Sequence, residues 1–308
     1  MAMLDEEAFT VIEPVADKHF VATPFVKDLA DQALAYLKAD LPIHFCGPAG
    51  TGKSSLAMYV AAKWGRPIVM IHGDEEFKTS DLVGAEYGYR LKRVHDRYIS
   101  TVKKLEEDVV KKWMDNRLTV AVKNGFTLIY DEFTRSRPEA NNVLLAILEE
   151  KMLELPSIGS EETYLRVDPN FRAIFTSNPE EYAGIYKAQD ALRDRFVTMN
   201  VGFFDEETEI QIVKSRSGIP DAEAKKIVKV VRNFRNLGVH KHLPSIRESI
   251  KIARVLKKGD KKPSKRDPFF KKLCFHVLTD VNHAMDPAEM RGTNKNGRTL
   301  SRLIHEYC

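Results

Sequence analysis

The chain has few cysteines for its length and lacks long apolar runs. Cys46, Cys274 and Cys308 are its three cysteines among 308 residues. Their number and spacing match neither a disulfide framework nor a zinc site, which favours a reducing compartment. No stretch approaches the roughly 18 apolar residues of a membrane-spanning helix, and residues 1–10 lack the apolar core of a signal peptide. We therefore expect a cytoplasmic protein without a membrane span.

A large excess of one charge is also missing. The 48 Lys and Arg residues and the 44 Asp and Glu residues leave a formal charge of +4. A balance this mild does not argue for nucleic acid as a partner. Residues 257–266 form a basic run, and such runs beside Pro and Gly are usually solvated linkers. A nucleic-acid motor is therefore only a minor alternative.

The chain is organised around a glycine-rich motif near residue 50. Residues 47–54 fit G-x-x-x-x-G-K-[ST], the pattern of the phosphate-binding loop. An apolar run, Ile43–Cys46, leads into the motif, and a sequence of helical character follows it. The glycines allow successive backbone N–H groups to point at phosphate oxygens, and the following helix directs its positive dipole end toward them. The predicted nucleotide-binding residues are Gly47, Pro48, Ala49, Gly50, Thr51, Gly52, Lys53 and Ser54.

The last two residues of this motif have separate expected roles. Lys53 reaches the β- and γ-phosphates, and the Ser54 hydroxyl holds Mg²⁺. A glycine-rich turn without function is the alternative. The strand before the motif, the helix after it and the Lys-Ser pair together favour a nucleoside triphosphate site.

A pair of acidic residues follows the third predicted strand. Residues 128–130 are apolar and lead directly into Asp131 and Glu132. Asp131 can bind Mg²⁺ through its water shell, and Glu132 can polarise an attacking water. Apolar runs that end in Asp-Glu are common, and it is the upstream phosphate loop that favours the catalytic interpretation.

Three further residues follow in the order that a ring-forming ATPase needs. Asn178, at the end of the fourth predicted strand, can hold a water against the γ-phosphate, although Asn-Pro is also a common turn. Arg195 can neutralise transition-state charge in a neighbouring subunit, unless it pairs with Asp190 or Asp194 on its own surface. Arg247, near the start of a later helix, can close onto the γ-phosphate or remain in solvent.

Strand and helix patterns alternate along the first two thirds of the chain. A strand, a helix and a second strand surround the phosphate loop, which implies a parallel sheet and an α/β fold. The predicted strands are Ile43–Cys46, Pro67–His72, Phe126–Tyr130, Arg172–Thr176 and Phe196–Val201.

After Phe204 the strand patterns stop and helical patterns begin. This shift places the domain boundaries. We expect an N-terminal arm at 1–20, an α/β ATPase core at 21–204, a helical lid at 205–256, and a basic linker with a C-terminal helical tail at 257–308.

The segment from Arg90 to Lys112 is strongly charged. Apolar residues recur along it at helical spacing, among them Val94, Tyr98 and Val102. This spacing predicts a long helix with one apolar side and a charged opposite side.

Together these motifs resemble the AAA+ ATPases. The hairpin-prone insert at Thr79–Gly84, before the charged segment, resembles the MoxR branch. Within that branch the sequence is similar to the gas vesicle protein N (GvpN) family, which is related to the CbbQ, NirQ and NorQ group. The similarity covers roughly residues 20–256 and rests on residues 47–54, 71–77, 130–142 and 176–184. Its most specific part is the run 131–142.

The resemblance implies an AAA+ core with a five-stranded parallel sheet in the order 5-1-4-3-2 and a small helical lid. It implies a homo-oligomer, commonly a hexameric ring, with ATP and Mg²⁺ at sites between subunits. The residues to which it assigns the roles described above are Lys53, Ser54, Asp131, Glu132, Asn178, Arg195 and Arg247. It also implies Mg²⁺-dependent ATP hydrolysis that drives chaperone-like remodelling in gas vesicle assembly or enlargement, in the cytoplasm or at the vesicle shell.

Two other functions stay open. A minor structural or scaffold component of the vesicle would bind nucleotide without turnover, and residues 90–112 and 257–266 are candidate docking surfaces for it. A MoxR-type activator of another enzyme, such as a carboxylase activase or a metal-insertion chaperone, would hydrolyse ATP for a different client. Loss of hydrolysis distinguishes the scaffold from the chaperone, because only the chaperone needs turnover.

Overall fold

The computed structural model describes residues 11–15, 17–95, 104–155, 164–178, 190–238, 243–279 and 295–308. The strands are β1 (Val11–Ile12), β2 (Ile43–Cys46), β3 (Ile68–His72), β4 (Gly84–His95), β5 (Lys104–Asp115), β6 (Thr127–Asp131), β7 (Met152–Glu154), β8 (Tyr164–Arg166), β9 (Arg172–Ser177) and β10 (Val197–Asn200).

The helices are α1 (Pro24–Lys38), α2 (Lys53–Trp64), α3 (Thr79–Val83), α4 (Arg117–Asn124), α5 (Pro138–Asn141), α6 (Val143–Glu149), α7 (Asp190–Arg193), α8 (Glu206–Ser217), α9 (Asp221–Asn236), α10 (Ile246–Lys258), α11 (Pro268–Leu278) and α12 (Lys295–Tyr307). A short 3-10 helix, Phe133–Arg135, precedes α5. Within these described ranges no helix has the length and apolar character to cross a membrane.

The central sheet has six strands in the order β1-β3-β6-β9-β2-β10. All neighbours from β3 to β10 are parallel, and β1 pairs with β3 in the antiparallel direction. The five predicted strands therefore keep the order 5-1-4-3-2, but their number is corrected to six. The sequence did not indicate β1, because a two-residue strand carries no periodic pattern.

Helices cover both faces of this sheet. Leu128 and Tyr130 of β6 belong to one apolar cluster, and Ile129 between them belongs to another. Successive side chains of a strand point to opposite faces, so the two clusters lie on opposite sides of the sheet. The first includes residues of α4, α5 and α6, and the second includes residues of α1 and α2. This layering explains why the parallel strands are apolar along most of their length.

A third apolar cluster is built mainly by helices, together with Ile219 between α8 and α9. It combines buried residues of α8, α9 and α10 with residues of α11, such as Phe270, and of α12, such as Leu300. We call this the helical cluster. Residues of the predicted tail thus share one core with residues of the predicted lid. The domain boundaries themselves stay predictions.

The charged segment after residue 84 forms a hairpin, and the predicted long helix is wrong. β4 and β5 pair in the antiparallel direction from Gly84 opposite Asp115 to His95 opposite Lys104. Tyr87, Tyr89 and Leu91 alternate with charged residues or glycine, a period-two pattern that a strand also satisfies. The hairpin begins after Thr79–Val83, where the insert was predicted to be hairpin-prone and a short helix lies instead.

Candidate functional site

The phosphate loop connects the central strand β2 to α2. Lys53 is the first residue of α2, and Gly52 before it has a φ of 82°. Gly50 has a φ of 75°. Residues with side chains rarely adopt such positive φ values, so the glycines permit the turn that brings the N-terminus of α2 to the end of the sheet. This is the arrangement of backbone N–H groups that the motif predicts.

Lys53 lies inside the curve of the loop. Its Nζ donates hydrogen bonds to the carbonyl oxygens of Gly47 and Pro48, each at 2.7 Å. The residue is 8% exposed. The ammonium group is thus held beside the loop, within reach of a phosphate that the loop would bind.

Ser54 and Asp131 meet at the end of the sheet. Ser54 Oγ donates to Asp131 Oδ1 at 2.6 Å, and Thr176 Oγ1 donates to the same oxygen at 2.5 Å. His72 Nδ1 lies 3.5 Å from Asp131 Oδ2. Hydroxyl and carboxylate oxygens are ligands that Mg²⁺ prefers in proteins. The pair predicted to bind the metal is therefore adjacent and has a suitable donor set.

Glu132 follows β6 in the left-handed region, with a φ of 52°. Its N–H donates to Thr176 Oγ1 at 2.9 Å, and its carboxylate lies 2.7 Å from Arg135 Nη1. The side chain is 45% exposed. Its backbone is therefore fixed, while the carboxylate can still reach a water near the loop.

Asn178 follows β9, next to the phosphate loop. The residue is 7% exposed, and its Oδ1 is buried without a hydrogen-bond partner among the described residues. A buried amide oxygen without a partner costs free energy, and a water O–H is a donor that would satisfy it.

Of these groups, those of Lys53, Ser54, Glu132, Thr176 and Asn178 line one cavity of about 530 Å³, whereas Asp131 is not part of its lining. Apolar side chains also line it, namely Phe20, Val21, Val26, Phe204, Ile212, Ile246 and Ile250. The predicted residues that line it are Ala49, Gly50, Gly52, Lys53, Ser54, Glu132, Asn178 and Arg247. The cavity thus combines polar groups suited to a phosphate with apolar surface suited to the planar ring system of a ligand. Its volume is typical of small-molecule sites.

Arg247 reaches the cavity from the first turn of α10. Ser245 caps this helix together with Glu248, whose carboxylate accepts from the Ser245 N–H at 2.8 Å. Burial acts to raise the pKa of Glu248, but the hydrogen bonds from Ser245 and the nearby Lys251 outweigh it and lower the pKa. The capping box therefore stays charged near neutral pH and fixes the turn that carries Arg247.

Arg195 lies apart from the other predicted residues. Its guanidinium pairs with Glu149 and donates to the Ala191 carbonyl. The sequence named pairing with Asp190 or Asp194 only as the alternative to a role in a neighbouring subunit, and the carboxylate that Arg195 contacts is that of Glu149. Within one chain, Arg195 does not join the cavity lining.

Comparison with known proteins shows the family of this chain. Residues 42–196 match the family model described as AAA domain, dynein-related subfamily. The chain is 46% identical to the gas vesicle ATPase GvpN of Ancylobacter aquaticus over 299 residues, which are 97% of this chain and 84% of that protein. The chain belongs to the GvpN family of AAA ATPases.

More distant comparisons agree with this family. The protein NorQ of Paracoccus denitrificans is 28% identical over 70% of this chain and 74% of its own length, as expected for the group related to GvpN. The crystal structure of NtrX from Brucella abortus in complex with ADP superposes with a TM-score of 0.52 at 15% identity, over 94% of this chain and 62% of that chain. At this identity the likeness shows the fold alone.

The sequence did not indicate every residue of this candidate site. Thr176 contacts both acidic residues, yet a threonine inside an apolar strand carries no signal of its own. The apolar wall of the cavity combines residues from three distant parts of the chain, including Phe20, Phe204 and Ile250. Only the folded structure brings such residues together.

Proposed function

We propose that this chain hydrolyses ATP with Mg²⁺ and uses the reaction to remodel a protein partner during gas vesicle assembly or enlargement. The observation that carries this proposal is the contact between Ser54 and Asp131, with Glu132 beside them at the wall of the cavity. One hydroxyl and two carboxylates next to a phosphate loop are what hydrolysis of a nucleoside triphosphate requires.

The loop and Lys53 would bind the triphosphate. The N–H groups at the start of α2 favour negative charge, and the Lys53 ammonium lies next to them. In its present position Lys53 contacts backbone carbonyls, which are weaker partners than a phosphate. We expect the ammonium to exchange these contacts for the β- and γ-phosphates.

Ser54 and Asp131 would hold the metal. Mg²⁺, when bound, would neutralise negative charge on the phosphate oxygens. Thr176 orients the Asp131 carboxylate through its hydrogen bond to Oδ1. This outer contact fixes the direction in which Asp131 presents its oxygens.

Glu132 and Asn178 would act on the attacking water. Glu132 accepts its proton as general base, and Asn178 offers its buried amide to orient it. The ion pair with Arg135 must open or rotate for Glu132 to take this role, and an exposed pair of this kind is weak enough to do so.

A ring of subunits explains where Arg195 would act. It is partly exposed, with 27% of its side chain accessible, and it lies outside the cavity of its own chain. A neighbouring subunit could receive this guanidinium at its γ-phosphate. We therefore propose a homo-oligomer in which the site is completed between subunits.

The vesicle context comes from the relatives named gas vesicle ATPase, and we extend it to this chain. The client would be a shell protein or an accessory protein of the vesicle. The enzyme would act in the cytoplasm, free or attached to the shell. A scaffold that binds nucleotide without turnover is the competing function.

The deciding experiment is Glu132→Gln, with the exposed Glu154→Gln as a matched control. We expect Glu132→Gln to bind ATP normally and to lose about 10²–10⁴-fold in turnover, as for removal of a general base. Each variant would replace the native gene in cells that form vesicles. Immature vesicles with Glu132→Gln alone support the proposal, whereas normal vesicles would favour the scaffold.

A further inference from the structure

Two residues that lead into the helical cluster lie against the phosphate loop. A side-chain carbon at Gly52 would stand 3.2 Å from the Phe204 ring, and one at Gly50 would collide with the Ser245 hydroxyl. Phe204 precedes α8, and Ser245 is the N-cap of α10, which carries Arg247. We call Phe204 and Ser245 the covering residues.

A group of three charges, two of them buried, connects α8 and α9. Glu209 of α8 is 1% exposed and accepts from Arg235 of α9, with Nη1 to Oε1 at 2.8 Å and Nη2 to Oε2 at 3.3 Å. Arg232, also on α9, has its Nη1 3.2 Å from Glu209 Oε2. The Arg235 guanidinium lies 4.1 Å above the Phe203 ring centroid. Glu209, Arg232 and Arg235 are the charged cluster.

The charged cluster also holds the backbone next to both covering residues. Arg232 Nη1 donates to the Phe204 carbonyl at 2.7 Å. Arg235 Nε donates to the carbonyl of Pro244, the residue before Ser245, at 2.7 Å. One carboxylate therefore orients two guanidinium groups, and each group fixes one segment that touches the loop.

Stability alone does not call for such a cluster. Removing a charge from water costs several kcal/mol, and apolar residues of similar size often replace a buried ion pair without loss of stability. A guanidinium differs from an apolar side chain because its planar N–H groups point in fixed directions. Arg235 uses this property, since Nη1 and Nη2 face Glu209 while Nε faces Pro244.

We propose that the charged cluster positions the covering residues on the phosphate loop and thereby sets the affinity of the site for ATP. Arg232 and Arg235 are positioning residues, because the cavity lining includes neither. They act by holding the Phe204 and Pro244 carbonyls. Because Pro244 precedes the N-cap of α10, its contact also affects the turn that carries Arg247. The inference rests on the proposed ATP site and adds the residues that hold the covering residues against the phosphate loop.

The test replaces the buried pair with apolar side chains, as Glu209→Met with Arg235→Met. Dissociation constants for ATP and ADP are measured in a Glu132→Gln background, which prevents turnover, together with the melting temperature. The matched control is Lys214→Met with Asp221→Met, which removes an exposed ion pair between the same two helices, with Nζ and Oδ1 3.4 Å apart.

We expect the buried double variant to bind ATP about tenfold to a hundredfold more weakly, because small displacements of a positioned group have effects of this size. The dissociation constant for ADP rises less, since Arg247 is assigned to the γ-phosphate. The control variant binds both nucleotides as the parent does. Both double variants keep a melting temperature close to that of the parent.

A second variant covers the case in which the double variant does not fold. Arg232 is 26% exposed, and Arg232→Met leaves the buried pair intact, so this variant should fold and bind ATP several-fold more weakly. Unchanged dissociation constants in the folded variants would overturn the inference. So would a smaller active fraction with unchanged affinity, because that result indicates a purely structural role. Parent protein that binds neither nucleotide would refute the proposed function itself, which is a different outcome.

Discussion

Ser54 Oγ donates a hydrogen bond to Asp131 Oδ1 at 2.6 Å, although 77 residues separate the two along the chain. Ser54 lies in α2, which follows β2, and Asp131 ends β6, while β9 lies between β2 and β6 in the sheet. Thr176 of this intervening strand donates to the same carboxylate oxygen. Asp131 is thus oriented by hydroxyl groups from the phosphate loop and from the middle of the sheet.

Thr176→Val should raise the Mg²⁺ concentration that ATP turnover requires, without unfolding the protein. Valine keeps the branched shape that the buried strand accommodates, but it cannot orient Asp131 or accept from the Glu132 N–H. Removal of such an outer contact costs roughly 10–100-fold in metal affinity or activity. ATP turnover measured against Mg²⁺ concentration checks this, with Thr176→Ser as the control that keeps the hydroxyl. An unchanged Mg²⁺ dependence in Thr176→Val would show that the contact is not used.

Gly50→Ala and Gly65→Ala should separate backbone strain from loss of the site. The φ values are similar, 75° at Gly50 and 81° at Gly65, so an alanine costs about 1–2 kcal/mol at either position. Nothing lies within 4 Å of a side-chain carbon at Gly65, whereas at Gly50 it would strike Ser245. We expect both variants to melt at a lower temperature and Gly50→Ala alone to lose ATP binding. Equal ATP affinities would mean that Ser245 moves aside freely.

Arg195→Ala should inactivate the ATP site of the neighbouring subunit, because the guanidinium is proposed to complete that site. We expect a loss of about 10³-fold or more in turnover and a disproportionate loss when the variant is mixed with wild type. Activity per subunit is measured across mixing ratios and protein concentrations. Glu149→Gln is the control, because it removes the in-chain partner and keeps the guanidinium. A loss that is simply proportional to the mutant fraction would place the action of Arg195 within its own chain.

His44 predicts a pH dependence of stability. Burial, with the charges of Arg193 and Lys53, lowers the pKa of His44 from 6.5 to about 4. The unfolded chain binds a proton below pH 6.5 that the folded chain does not, so stability is full above that pH and falls toward pH 4. The slope approaches about 1.4 kcal/mol per pH unit.

His44→Gln should show a shallower fall in this pH window, because it removes the titrating group. Urea unfolding at several pH values measures the difference between the variant and the wild type. His276→Gln serves as the control, since His276 is exposed. Parallel curves for wild type and His44→Gln would contradict the assignment.

The site residues that could be predicted from the sequence are those that belong to short motifs with fixed spacing. The phosphate loop and the Asp131-Glu132 pair have fixed spacing, and the strands before them are apolar because both faces of the sheet are covered. Because these strands are parallel, their carboxyl ends lie at the same edge of the sheet. Thr176 was missed because its importance arises from two partners that lie on other elements.

Two outcomes have a common physical origin. Arg195 pairs with Glu149, which lies 46 residues away, whereas the alternative to its role in a neighbouring subunit named only carboxylates beside it in sequence. The segment after Gly84 has both helical and alternating spacing, and pairing across the hairpin decides between them. In both cases a contact between distant residues determined the outcome, and local patterns do not contain that information.

The hairpin of β4 and β5 is much longer than the strands of the central sheet. Each strand has 12 residues, which at about 3.4 Å per residue makes a ribbon roughly 40 Å long. The strands of the central sheet have at most six residues. A small rotation at the base of the hairpin, near α3 and α4, would therefore displace the far described end, at His95 and Lys104, much more than the base itself.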